Sequence, residues 1–350
     1  MEVYKRLYLT MLFIVALLPL TGCDKKGPAE ASAASTSPAR AIAAKKKVLF
    51  IDSYHKGYEW SDGVLNGALL TFNAEFNDDD TVDNSKSKVE LKIFRMDTKR
   101  NPSEEWKQSA GLKAKDLIET WKPDLVITSD DHAAKYVIVP YYKNTTLPFV
   151  FCGINWDAKQ YGLPCSNVTG MVEVADFKGM IDGLKEYSHG ERVGFMTGNR
   201  YSDFAMGEKS QSVLGITYDK TYYVPTIEEW KERFLSLQDD VDILILENYM
   251  GIEGWEPAEV EAFILKNVKI PIATPQEFMM PYSLIGYVKI PEEQGSFAAK
   301  AALEILNGKS PTDIPVKTNE KLKIYLNMKM AKKLGIVFPI ELVNGAELVN

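Results

Sequence analysis

Apolar residues follow two alternating rhythms along this chain. The runs 48–52, 125–128 and 148–152 are continuous and partly β-branched, as strands covered on both faces are. Between the first two, residues 61–76 carry Val64, Leu65, Ala68, Leu69, Phe72 and Phe76 at helical spacing. Residues 89–94 alternate, which predicts another strand. A helix is predicted to open at Pro102-Ser103-Glu104, with Ser103 as N-cap, and to hold Trp106, Leu112, Leu117, Ile118 and Trp121 before Lys122-Pro123 stops it. Residues 132–142 read as a further helix.

Residues 153–167 break this rhythm, and it then resumes. Strands are predicted over 168–172, 193–196, 218–224, 243–247, 270–273 and 284–290. Helices are predicted over 176–187, 203–214, 226–237, 257–266 and 292–306. Strands alternating with helices predict an α/β protein of two doubly wound parallel-sheet lobes joined by a hinge. Lobe 1 is expected to span 45–154 plus about 288–320, and lobe 2 to span 155–287 plus about 321–350. The strand at 284–290, the helix at 292–306 and the final segment 321–339 are expected to cross back between the lobes.

The N-terminal segment follows a different logic. Lys5 and Arg6 precede an apolar run over 7–20, which ends in Leu20-Thr21-Gly22-Cys23. A basic start, a short apolar stretch and small residues at the end form an export signal, expected over residues 1–22. The run is shorter than the roughly 20 apolar residues a spanning helix needs. The Leu-x-Gly-Cys ending resembles a lipobox, which makes Cys23 the lipidation site and the lipid the membrane attachment. Asp24 after that cysteine favours the inner membrane over the outer, on the periplasmic face. Residues 23–44 are rich in Ala, Ser and Pro and read as a flexible tether, with a reach on the order of 25 Å.

Charge narrows the possible partners. The formal charge is −7, and removing residues 1–22 takes away one acid and two bases, leaving −8. Such a chain has no electrostatic footprint for nucleic acid. Of three cysteines, Cys152 and Cys165 remain once Cys23 is acylated. An even count in an exported chain permits a Cys152–Cys165 disulfide, while Cys152, at the end of an apolar run, equally suits the core. Only three histidines occur, without metal-ligand spacing, and neither a nucleophile elbow nor a phosphate loop is present. No enzyme, metal or cofactor is expected.

In open parallel sheets, ligands bind beyond the carboxyl ends of the strands. After the first strand comes Ser53-Tyr54-His55-Lys56-Gly57-Tyr58-Glu59-Trp60-Ser61-Asp62, dense in rings and polar atoms. Tyr54, His55, Tyr58, Trp60, Ser61 and Asp62 are candidates to hold a small molecule. The bland alternative folds Tyr58 and Trp60 onto the lobe surface. After the third strand, Asp130 and Asp131 either cap a helix or face a ligand. Asn155 and Trp156 follow the fourth. The second unit offers Asn199, Arg200 and Tyr201, then Glu247, Asn248 and Tyr249, then Pro275-Gln276-Glu277, of which Glu277 is the candidate. Together these favour a small polar ligand with a flat or apolar part.

Two late stretches go further. Glu292-Glu293-Gln294-Gly295, Ala298-Ala299-Lys300-Ala301-Ala302 and Gly308-Lys309-Ser310-Pro311 resemble the late helix and turn of ABC-transporter substrate-binding lipoproteins of the tryptophan/tyrosine-binding type. Asn327-Met328-Lys329-Met330-Ala331-Lys332-Lys333-Leu334-Gly335-Ile336 is similar to that family's C-terminal signature, and Asn167-Val168-Thr169-Gly170 to the strand opening its second lobe. The resemblance implies a type I periplasmic-binding fold that closes on its ligand, a monomer that captures an amino acid-like or aromatic-bearing solute, or a sugar as second choice, and an ABC permease as partner. The first loop instead resembles a branch with Ser-Tyr-His-x-Gly-Tyr-x-Trp that occurs fused to bacterial sensor kinases. That implies an alternative partner, a membrane sensor kinase or cyclase.

Overall fold

The computed structural model describes residues 44–77, 79 and 81–349. The expected signal segment, Cys23 and all of the tether but Ala44 lie outside the described residues. Everything described belongs to one unit, 44–350, built on two sheets.

The first sheet starts with β1 (Lys47–Asp52), whose apolar side chains alternate between two cores: Val48 and Phe50 enter one, Leu49 and Ile51 the other. A central parallel strand must be apolar on both faces, which explains the unbroken run. Helix α1 (Glu59–Phe72) leads to a small hairpin, β2 (Glu75–Phe76) and β3 (Val82–Asp83), and then to β4 (Glu90–Arg95). Helix α2 (Glu104–Trp121) begins where expected, with the Ser103 hydroxyl accepting from Trp106 N. β5 (Leu125–Ser129), the short α3 (Asp130–Ala133), β6 (Phe149–Asn155) and β7 (Val168–Glu173) complete the lobe, with one late strand described below.

The second sheet uses β8 (Val193–Gly198), β9 (Lys220–Val224), β10 (Ile243–Leu246), β11 (Ile272–Thr274) and β12 (Ile285–Lys289). Helix α4 (Phe177–Lys185) leads from β7 into this sheet, and α5 (Tyr201–Leu214), α6 (Ile227–Asp240) and α7 (Pro257–Asn267) connect β8 to β11 in turn. Helix α8 (Pro291–Leu306) then returns to lobe 1 and packs on α1. The contact is close enough that a Cβ on Gly295 would fall 1.7 Å from the Val64 carbonyl oxygen. β13 (Lys317–Thr318) joins the first sheet, while β14 (Leu322–Asn327) and β15 (Ala346–Val349) join the second. The strand orders are β13-β7-β6-β5-β1-β4 and β15-β14-β12-β11-β10-β8-β9. All pairs are parallel except β12 with β14 and the hairpin. The chain therefore passes between the sheets three times, near 174–176, 290 and 319–321. Three such strands form a hinge.

Several expectations need correction. The strand at 168–172 pairs with β6, Phe149 opposite Val168, so it belongs to the first sheet instead of opening the second. The first crossing falls after Glu173, not at Asn155. The helix expected over 132–142 is one α turn followed by a π-helix, Ala134–Tyr142, which contains Pro140. Phe76 belongs to the hairpin, since α1 ends at Phe72 with Asn73 in the left-handed region. The cysteines are not bridged: both thiols are free. Cys152 packs into one core of lobe 1 and Cys165 against the other, on opposite faces of the sheet.

Candidate functional site

Asp52 ends β1 and organises the loop after it. Its Oδ1 accepts from Tyr54 N at 3.0 Å and from the Ser61 hydroxyl at 2.9 Å. Arg95 Nε lies 3.7 Å from Oδ2. Burial pushes the Asp52 carboxyl above its ordinary pKa, and these bonds and the arginine work against that rise. The loop leaves β1 in a fixed direction and presents three rings. Tyr54 and Tyr58 meet edge to face at 5.3 Å. Lys99 Nζ donates to the Tyr58 hydroxyl at 2.6 Å and sits 3.9 Å from that ring's centre. Trp60, in the first turn of α1, donates its indole N–H to Asp130 Oδ1 at 2.9 Å.

Asp130 occupies an unusual position. Its φ is +66°, a left-handed conformation that Asp tolerates better than most residues. Gly153 opposite makes room, because a Cβ there would lie 3.0 Å from Asp130 Oδ1. Asp130 is only 2% exposed, and its Oδ2 has no hydrogen-bond partner among the described residues. Burial first, and then the charges of Glu173, Asp52 and Asp131, push this carboxyl well above its ordinary pKa. The same acidic floor, after burial, holds the Tyr54 phenol well above its usual value.

These groups line a cleft of about 320 Å³ between the lobes. Tyr54, Tyr58, Trp60, Lys99, Asp130, Asn155 and Glu173 come from lobe 1. Met206, Pro275, Gln276, Val288 and Lys289 come from the other side. Lys289 pairs with Glu173, and its ammonium stands 5.5 Å from the centre of the Trp60 ring. The volume suits a small molecule of roughly amino-acid or monosaccharide size, at the low end of ligand pockets. A second cavity of about 390 Å³ lies at the hinge, bounded by 174–178 and 318–322 with Leu214. Asn319 there already accepts from Val174 N, so its carboxamide oxygen serves the hinge. Among the described residues, no group of three or more His, Cys, Asp or Glu is placed to hold a metal ion.

Of the expected site residues, Tyr54, Tyr58, Trp60, Asp130 and Asn155 meet in the cleft. The rest serve other ends. Ser61 is buried against Asp52, and Asp62 accepts from Gly57 N at 2.8 Å, closing the loop. His55 sits edge-on to Tyr58 outside the lining. Asp131 has both oxygens engaged, by Asn155 Nδ2 at 2.7 Å and the Tyr161 hydroxyl at 2.8 Å, and so positions Asn155. Trp156 stacks on Phe177 at 6.2 Å and anchors the linker to the lobe 2 core. Asn199 and Arg200 are exposed, Tyr201 is 90% exposed, and Glu277 is exposed. Asn248 donates to Asp203, while Tyr249 stacks on Trp255 at 4.8 Å. Glu247 is buried beneath the lining, holding Gln276 Nε2 at 3.0 Å and the Thr197 hydroxyl at 2.9 Å.

Lys99, Glu173 and Lys289 were not anticipated, although each follows or ends a strand and the same strand-end rule finds them. Met206 lies inside a helix and carries no comparable signal.

A two-lobed α/β body with a ligand-sized cleft at its hinge is the architecture of type I periplasmic binding proteins. The family described as ABC transporter substrate binding protein matches residues 91–349, and the chain belongs to it. It is accordingly an extracytoplasmic, non-enzymatic binding protein, the substrate-binding component of an ABC transporter. The fold is similar to CD0873, a substrate binding protein with adhesive properties from Clostridium difficile, in its ligand-free, open form. The TM-score is 0.64 and the identity 17%, covering 87% of this chain and 99% of that one. It is also similar to an ABC domain in complex with L-Trp from Streptococcus pneumoniae, with TM-score 0.52 and 18% identity over 87% of this chain and 100% of that one. A periplasmic ribose ABC transporter from Conexibacter woesei gives TM-score 0.51 and 14% identity over 84% and 94% of the two chains. No curated protein matches the chain.

Proposed function

We propose that this protein is tethered to the membrane through a lipid on Cys23 and captures an amino acid-like, aromatic-bearing solute for delivery to an ABC importer. The observation that carries the ligand class is the pairing, on one lobe, of an aromatic wall with a lysine and a buried acid. Tyr54, Tyr58 and Trp60 offer flat faces for a ring. Lys99 and Asp130 offer a cation and an acid for the two ends of an amino acid. Lys99 meets neutral groups, the Tyr58 phenol and the ring faces of Tyr54 and Tyr58. A sugar would use the rings and leave the Lys99 ammonium without a counterion. The solved L-Trp complex of the same fold is compatible with this choice.

Mass spectrometry of metabolites that co-purify with the protein tests the ligand. Recovery of a neutral sugar alone would sink the amino acid-like reading. For the anchor, Cys23→Ser should release the protein from membranes or stall its processing, and a variant still acylated and membrane-bound would overturn it. The sequence of the first loop also favours a second reading, in which the same cleft reports its solute to a sensor kinase or cyclase. A permease and ATPase encoded beside the gene support transport, whereas a kinase or cyclase there supports signalling.

A further inference from the structure

Among the described residues lining the cleft, one buried polar side-chain atom lacks a partner, and it is Asp130 Oδ2. The other oxygen of this carboxyl is filled by the Trp60 indole N–H. The surroundings are acidic. Asp52 faces it from β1, Asp131 from its own helix and Glu173 from β7, with the neutral Tyr54 phenol and Cys152 thiol beside them. The cations nearby are engaged elsewhere: Lys289 is paired with Glu173, Lys99 donates to the Tyr58 hydroxyl, and Arg95 Nε lies 3.7 Å from Asp52 Oδ2. An ionised Asp130 would therefore stand in the empty cleft with one donor, little water and other carboxyls close by. A protonated Asp130 avoids that cost.

Resting on the cleft reading given above, we infer that Asp130 Oδ2 receives a protonated amine of the ligand, and that the amine's arrival drives Asp130's own proton into solvent. The incoming R–NH3+ keeps its three protons. The O–H bond of Asp130 breaks, its proton passes to water, and a neutral acid plus a cation become a buried ion pair plus a free proton. The ligand thus brings a countercharge to Oδ2, and a charge-assisted bond replaces the empty position. Affinity should rise about tenfold per pH unit over the range where the empty site is protonated and the amine is charged.

The test is calorimetric titration of the full chain in detergent, from mildly acidic to mildly alkaline pH, in buffers of differing ionisation enthalpy. The amine probes are L-tryptophan, L-tyrosine, L-lysine and tryptamine, and the amine-free probes are indole-3-propionate and D-ribose. An amine probe should bind with release of one proton, and Asp130→Asn should abolish both the release and the pH dependence. Infrared spectra of the wild type should show a protonated carboxyl band that this probe removes, a readout that does not depend on the variant folding. Binding of an amine with no proton exchange overturns the inference and leaves the ligand site standing. Tight binding of amine-free probes only overturns it as well. If none of the six binds, the cleft reading falls together with the inference.

Discussion

Asp130 in lobe 1 and Glu247 in lobe 2 are both buried carboxyls that directly follow a strand, and the two are treated differently. Asp130 follows β5 at 2% exposure, and Glu247 follows β10 at 3%. Burial raises the pKa of both. Glu247 nonetheless has a donor on each oxygen, Thr197 and Gln276, whereas Asp130 has one donor and one open oxygen. Depth and charge do not separate a ligand group from a scaffold group here. The count of satisfied oxygens does. The rest of each face follows the same division: lobe 1 presents rings and Lys99, while Met206, Pro275 and Gln276 of lobe 2 complete the wall.

The largest effect should come from breaking the satisfied acid. Glu247→Ala leaves the Thr197 hydroxyl and the Gln276 amide without their buried acceptor, a loss of about 3 kcal/mol of stability. Denaturant unfolding checks this, with Glu247→Gln expected to recover part of the loss. If Glu247→Ala instead melts normally and fails to bind, Glu247 is a ligand group and the contrast with Asp130 collapses.

Much of this architecture was legible in the sequence because strand and helix rhythms report burial, and burial is what a parallel sheet demands. The lobe boundary was not. Residues 168–172 are buried on both faces, as a central strand of either sheet would be, so periodicity cannot say which one they join. Tyr54, Tyr58, Trp60 and Asp130 were legible because strand ends face the cleft. Asp131, Asp62 and Glu247 sit at equally good positions, and only their hydrogen-bond partners disqualify them. Those partners, Tyr161, Gly57 and Gln276, are fixed by tertiary placement, which residue spacing does not encode.

Removing the ring that joins the two features should cost the next largest amount. Trp60→Ala takes away a stacking face and the donor to Asp130 Oδ1, so the co-purifying ligand should lose on the order of 1–3 kcal/mol of affinity. Titration beside thermal melts separates the effects. Trp60 also packs at the edge of a lobe 1 core. Normal binding with early melting would make that packing its whole role. Tyr201→Ala, at a 90% exposed ring, is the control from the other lobe and should leave the melt unchanged.

Asp130→Asn should alter how stability depends on pH more than it alters stability at any one pH. Asp130's folded-state pKa is raised, so folding holds its proton more firmly than the unfolded chain does. Its contribution is fully present below the ordinary carboxylate value and is lost as pH rises through the folded value. Asparagine cannot titrate. The variant should therefore gain on the wild type as ligand-free melts move from acidic to neutral pH. A difference that stays flat would mean that Asp130 ionises as readily folded as unfolded, and the two buried acids would need another explanation.

The smallest effect belongs to Asp62, which sequence position alone makes as good an ammonium partner as Asp130. Its Oδ2 accepts from Gly57 N, where φ is +85°, and so fixes the turn that carries Tyr58. That bond is exposed to solvent, so Asp62→Ala should cost about 0.5–1 kcal/mol of stability, the range of an ordinary hydrogen bond. Asparagine can still accept from Gly57 N, so Asp62→Asn should be close to neutral. Any loss of affinity should be a few-fold at most, equal for charged and neutral ligands, because it would act through a looser Tyr58 and not through a lost charge. Titration of both variants decides the point. Should Asp62→Asn weaken an amine ligand as much as Asp130→Asn does, the loop approaches the ligand through Asp62, and the open oxygen of Asp130 no longer marks the site.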